Sequence, residues 1–199
     1  MSMPTKFLRN CLPLLGLLAL TPAMAEPEGE PPAELKRLVP NGSKLLDWQV
    51  ADLNVDGRPD VLAVYESAVE QSDDDGPRTL LIAIRQADGA LKVVKRNDKV
   101  VYCRQCGGIF GDPFESLSAA PGKLSVHHYG GSNWRWSNTF SFAYSRRDET
   151  WQLVRVEESS FHTSAPDKMK TRAFKPPRDF GKIDIADFDP ENFKGVGPK

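Results

Sequence analysis

Asp52, Asn54 and Asp56 stand at alternate positions, Gly57 follows them, and Asp60 comes four residues after Asp56. Oxygen-bearing side chains at that spacing, with a glycine where the chain must turn sharply, open a cage for a hard cation, and the D-x-[DN]-x-D-G pattern points to calcium. A helical calcium loop closes with a glutamate at its twelfth position, and here that position is Ala63. The flanks, Leu45 to Val50 and Val61 to Tyr65, are short, apolar and β-branched, which predicts strand, loop, strand. The alternative is a polar hairpin turn that holds no metal. Clustered carboxylates without a cation raise one another's pKa, so removing an ion from this loop is expected to loosen the hairpin.

Other residues carry chemistry less specifically. Cys103 and Cys106 are the cysteines outside the N-terminal apolar run. A disulfide, a redox pair and a metal thiolate site all fit their spacing, although Gly107-Gly108 and Pro113 leave no good helix start to activate a thiol. His127 and His128 are adjacent on an expected strand and so point to opposite faces. One of them, with Glu115, is the only visible material for a hydrolytic acid/His site. Gly130-Gly131-Ser132-Asn133-Trp134-Arg135-Trp136 is the best candidate for an interaction surface, because glycines admit close approach and Trp and Arg are common anchors. His128, Ser132, Asn133, Trp134, Arg135 and Trp136 are therefore the expected partner surface, with either an envelope protein or a glycan as partner. The same alternation that exposes a turn also puts Trp134 and Trp136 on the face of Phe140 and Phe142, which leaves a core position open for them.

The run Asp52-Leu53-Asn54-Val55-Asp56-Gly57-Arg58-Pro59-Asp60-Val61 resembles the loop of FG-GAP and VCBS-type repeats, in which Asp and Asn between two strands hold calcium, as in integrin-like β-propellers. The resemblance implies that Asp52, Asn54, Asp56 and Asp60 are side-chain ligands and that a backbone carbonyl near Arg58 adds another. The motif occurs once, whereas a propeller repeats its blade. The later order, Cys-x-x-Cys-Gly-Gly, Gly-Asp-Pro-Phe-Glu and His-Tyr-Gly-Gly-Ser-Asn-Trp-Arg-Trp, is similar to that of secreted bacterial proteins of unassigned activity. That likeness implies a compartment and a fold class, not a reaction.

Lys6 and Arg9 precede an apolar run from Cys11 to Leu20, and Ala23-Met24-Ala25 supplies the small residues of a cleavage site, the pattern of a secretory signal peptide over 1–25. The run is too short to span a membrane, so a periplasmic or secreted location is expected. Removing Lys6 and Arg9 from 26 basic residues leaves 24 against 27 acidic ones, a net charge of −3. No basic stripe suggests nucleic acid as a partner. In that oxidising setting a Cys103–Cys106 disulfide is the default.

The elements that must position these residues are strands. Residues 26–43 read as an extension with a short helix at 33–38, ended by Pro40 and the Asn41-Gly42 turn. A β domain is expected over 44–163, followed by a Pro-rich segment, 164–199, that docks on it through the alternating Ile183 to Phe188. Thr79 to Gln86 and Leu91 to Lys95 predict a hairpin, Lys99 to Tyr102 a further strand, and Lys123 to Tyr129 another. From Trp134 to Ser145 the apolar positions alternate with polar ones, which predicts a strand with one buried and one wet face. Trp151 to Val156 continues that meander. The acid cluster 70–77 reads as a solvated turn. The expected fold is mostly β, with antiparallel sheets packed as a sandwich or one strongly bent sheet. The expected role is a non-enzymatic binding or structural module of the cell envelope, and the alternative is an envelope hydrolase with its acid/His site near 127–136.

Overall fold

The computed structural model describes residues 29–68 and 76–193. The signal-peptide pattern, most of the 70–77 acid cluster and the last six residues lie outside them. Two antiparallel sheets form a sandwich, each a meander in chain order. The first contains β1 (Lys44–Ala51), β2 (Asp60–Glu66), β3 (Arg78–Arg85) and β4 (Leu91–Asn97). The second contains β5 (Phe114–Ala120), β6 (Lys123–Gly131), β7 (Trp134–Ser145), β8 (Thr150–His162) and β9 (Lys170–Phe174). Among the described residues the only α-helix, α1 (Leu35–Leu38), is a single turn. Among the described residues no helix is long and apolar enough to cross a membrane.

The continuous apolar runs in β2 and β3 have a physical reason. Every residue of β2 is buried, because both faces of the first sheet are covered. Leu62, Val64, Leu80 and Ile82 face the second sheet and meet Val126, Phe140, Phe142 and Val156. Val61, Ala63, Tyr65 and Leu81 face outward and are covered by Leu35 of α1, with Leu38 and Trp48 beside them. A strand buried on both faces loses the alternation that marks a half-wet strand. The second sheet keeps it: β6 and β7 alternate buried with partly exposed positions.

The segment after β9 meets β8 by an isolated bridge between Asp184 and Gln152 rather than as a strand. Ile185 and Phe188 are fully buried there, and Asn97 donates to the carbonyls of both at 2.6 and 2.7 Å. Lys99 to Tyr102 does not pair as a strand. Val100, Val101 and Tyr102 instead plug the core as an irregular crossing, which needs apolar side chains but no ladder.

Lengths decide where a site can form. β7 and β8 have 12 and 13 residues, whereas the strands of the first sheet have seven or eight. At about 3.3 Å per residue the second sheet outreaches the first by roughly 15 Å. Its inner face continues past the sandwich, first under the Tyr102 crossing and then into the open.

Candidate functional site

The 52–60 loop joins β1 to β2 and sits at the joint between the sheets. Leu53 is buried, and its carbonyl accepts the Trp151 indole N–H at 2.9 Å. The Asp52 carbonyl accepts Gly122 N–H at 2.9 Å, so the loop is tied to both β8 and the β5–β6 turn. Asp52 accepts the N–H groups of Asp56 and Gly57 through its two oxygens, each at 2.9 Å. Asn54 donates to Asp56 at 2.8 Å, and the Arg58 guanidinium lies 2.6 Å from the same carboxylate. Gly57 has φ of +88°, a conformation that favours glycine. Burial opposes ionisation of Asp56, but the hydrogen bonds from Asn54 and Arg58 and the Arg58 charge outweigh it and hold its pKa down.

Asp60 is placed differently. It is fully buried, and its two oxygens accept Leu53 N–H and Arg85 N–H, each at 2.8 Å. Burial raises its pKa against those hydrogen bonds. It clamps three strands' ends by their backbone. Asp52, Asn54 and Asp56 bring oxygens of the type that hold a hard cation to one turn, where the Asp56 carboxylate is engaged by Arg58 and Asn54 and a carboxylate oxygen that accepts one N–H keeps a second lone pair. Among the described residues no three His, Cys, Asp or Glu side chains converge as a metal shell. An ion here would draw on the Asn54 amide oxygen and backbone carbonyls as well as on the acids.

Cys103 and Cys106 form a disulfide, with their Cα atoms 5.2 Å apart. It closes the turn that leads into Gly107-Gly108, and this pair lies directly on Gly130-Gly131. Gly131 N–H donates to the Gly107 carbonyl at 2.8 Å. A Cβ on Gly130 would stand 2.6 Å from the Trp136 ring and 2.9 Å from Gly107 Cα, so the glycine pairs let two backbones and an indole meet. Beyond them Ile109 and Phe110 are exposed. Arg135 stacks 4.0 Å above the Phe110 ring and donates to the Gly131 carbonyl.

The two tryptophans divide between the core and the surface. Trp136 is half-buried, edge-on to Tyr102 at 5.9 Å between ring centroids. Trp134 is 59% exposed and meets His162 edge-on at 5.2 Å. Ser132 and Asn133 form the exposed turn before it. Both indoles line a cleft of about 440 Å³ together with Asn138, Glu158, Lys170 and Arg172, contributed by β7, β8 and β9. Cross-strand register explains the grouping: Asn138 pairs with Glu158 and Glu158 with Arg172, while Trp136 pairs with Ser160 and Ser160 with Lys170. These rows are the inner face of the second sheet where it has outrun the first. Asn138 is buried and donates to the Tyr102 hydroxyl at 3.1 Å. Among the described residues Lys170 and Arg172 have neither an ion pair nor a side-chain hydrogen bond.

The histidines do not combine. His128 is buried against Tyr102 and Phe140, and its Nε2 accepts Tyr102 N–H at 3.3 Å. Burial, reinforced by the nearby His127 and Arg78, pushes its pKa down to about 3, so it is a neutral core residue. His127 faces out, between Ser118 Oγ at 3.1 Å and Thr139 Oγ1 at 3.2 Å. Glu115 sits at the β5 bulge and hydrogen-bonds neither histidine. Burial raises its pKa.

A cluster invisible in the sequence lies beneath this end. The Arg78 guanidinium, only 1% exposed, pairs with Glu66 at 2.9 Å and with Asp112 at 2.6 Å, and donates to the Tyr102 carbonyl at 3.1 Å. Arg104 also pairs with Glu66. These contacts bind β2 and β3 to the disulfide loop. Burial disfavours the charges of Glu66 and Asp112, yet the Arg78 hydrogen bonds and charge hold both pKa values down. In comparisons with models of protein families, with curated proteins and with solved structures, nothing matches this chain.

Proposed function

We propose that this protein is an exported, non-enzymatic binding module of the cell envelope, taking its ligand in the Trp134–Arg172 cleft, with a calcium ion pinning an FG-GAP/VCBS-type loop at 52–60. The observation that carries the binding role is a cleft where two indoles stand beside two cations, Lys170 and Arg172, that have no ion-pair partner among the described residues. A cleft of about 440 Å³ is within the usual range for small-molecule sites, which combine apolar walls with a few fixed polar groups. The calcium role rests on the Asp52-x-Asn54-x-Asp56-Gly57 spacing and on the oxygens gathered at that turn. Its place at the inter-sheet joint gives an ion something to stabilise.

The test of the binding role is ligand-observed NMR with a panel of oligosaccharides and peptides, on the wild type and on Trp134→Ala. Hits that vanish in the variant support the cleft; hits indifferent to Trp134, or no hits, sink it. A thermal melt with EDTA and then with calcium tests the ion, because a ligand of the native state must raise the midpoint by mass action. The shift should disappear in Asp52→Ala. A hydrolase is the second reading, favoured by one observation: Ser118, His127 and Thr139 are hydrogen-bonded in the order of nucleophile, base and orienting group. Turnover of any panel member that Ser118→Ala abolishes would replace the binding role with this one.

A further inference from the structure

Resting on the cleft as the binding site, we infer that its ligand is a carboxylate-bearing saccharide. The geometry supplies a platform for a ring. Trp134 and Trp136 project from the same face of β7 two positions apart, roughly 6–7 Å at strand rise, a spacing that suits a pyranose unit. Both indoles are held: Trp136 lies across Gly130, where a Cβ would stand 2.6 Å from its ring, and Trp134 abuts His162. A rigid aromatic face loses little entropy on binding. Sugar rings offer a C–H face for stacking and a hydroxyl edge for polar groups, and the polar groups are present in the next rows. Asn138 and Ser160 belong to the cleft lining, and the Asn138 amide is oriented by the Tyr102 hydroxyl.

Charge selects among saccharides. Lys170 and Arg172 are exposed on one face of β9 and stand without a carboxylate partner among the described residues, while the other cation of the lining, Arg135, is occupied by Phe110 and the Gly131 carbonyl. Arg58, Arg78, Arg85, Lys95, Lys99, Arg104, Arg155, Arg178 and Lys182, by contrast, form ion pairs. Two unused cations beside a stacking platform complement a carboxylate carried on a ring. Glu158, between them and Asn138 in register, disfavours a second anionic group at that point. An extended peptide taken by strand addition would pair with the backbone of a sheet edge, whereas this cleft is walled by side chains standing on the sheet's face.

The test uses the full chain and two trisaccharide probes, trigalacturonate and cellotriose, titrated by isothermal calorimetry and by tryptophan fluorescence at low and high salt. Trigalacturonate should bind with an indole signal at least about tenfold more tightly than cellotriose, since one charge-assisted contact is worth a factor of that order. Lys170→Gln and Arg172→Gln, both at exposed positions, should level the two sugars without changing the melting midpoint. Equal affinity in the wild type overturns the carboxylate requirement and leaves the cleft as a binding site. Binding of phosphatidylglycerol vesicles or of a poly-glutamate peptide through the same residues, with neither sugar bound, overturns the saccharide class. If none of these probes disturbs Trp134 or Trp136, the inference and the binding role fall together.

Discussion

Replacing Asp60 with alanine separates a backbone clamp from a metal ligand. Its carboxylate accepts Leu53 N–H and Arg85 N–H, each at 2.8 Å, from a fully buried position. The Leu53 amide is buried with its residue, so losing its acceptor costs about 1–3 kcal/mol; the Arg85 amide is partly open to water and costs about 0.5–1 kcal/mol. The desolvation that raises the Asp60 pKa is relieved at the same time, so the net loss is about 2–3 kcal/mol. For a domain of this size that lowers the melting midpoint by about 5–10 °C. Asp52→Ala frees the Asp56 and Gly57 amides instead; these are exposed, water replaces the acceptor, and the loss is about 0.5–1 kcal/mol. Urea unfolding followed by tryptophan fluorescence in EDTA measures both without any ion. Asp60→Ala should then be clearly the weaker protein, and only Asp52→Ala should owe its remaining deficit to lost calcium. Equal stabilities in EDTA, or an Asp60→Ala loss that appears only when calcium is added, would refute the clamp.

Four further outcomes follow from the packing at the Tyr102 end of the sandwich. The unfolded His128 titrates near 6.5 while the folded one is held at about 3, so below 6.5 the unfolded chain binds the extra proton and stability falls as pH drops, by up to about 1.4 kcal/mol per pH unit. His128→Gln should flatten that slope in urea midpoints taken at near-neutral pH and at about pH 5, and an unchanged slope counts against a neutral core histidine. Arg78→Met leaves Glu66 and Asp112 without the guanidinium and should cost about 3–5 kcal/mol by denaturant titration. Because the pKa values of those acids are lowered in the fold, their contribution is present above the unfolded values near 4 and lost as pH falls through the folded ones. In the wild type, stability should therefore fall further below about pH 4, and this part of the fall should be clearly smaller in Arg78→Met, where only Arg104 and the Phe114 amide still favour the ionised acids. Gly130→Ala must move the Trp136 ring or Gly107, at about 1–3 kcal/mol; near-ultraviolet circular dichroism should change, and an unaltered spectrum with full stability would deny the contact. Reducing Cys103–Cys106 should cost about 2 kcal/mol by loop entropy and speed hydrogen exchange at Gly131, whose N–H is held by Gly107.

Local pattern determined much of this protein. The Asp52–Asp60 loop lies between two strands because apolar β-branched runs flank a polar, glycine-bearing turn. The period of two from Trp134 to Tyr144 produces β7, and the mostly β fold with sheets in two groups follows from such segments. β5 and β9 carry no comparable pattern: Phe-Glu-Ser-Leu-Ser-Ala-Ala and Lys-Thr-Arg-Ala-Phe become strands because β6 and β8 offer unpaired edges. Tertiary structure alone decided the chemistry of the surfaces. Spacing makes Asp60 the equal of Asp52, but the start of β2 turns it inward onto backbone amides. Alternation assigns both tryptophans to one face, and only the difference in length between the sheets leaves Trp134 in solvent and Trp136 at the margin of the core. The partners of Arg78 stand 12 and 34 positions away, and Lys170 and Arg172 reach the indoles only across β8. Periodicity encodes which way a side chain faces along its own strand; what lies opposite it depends on register and on where the neighbouring sheet ends, and neither is a local property of the chain.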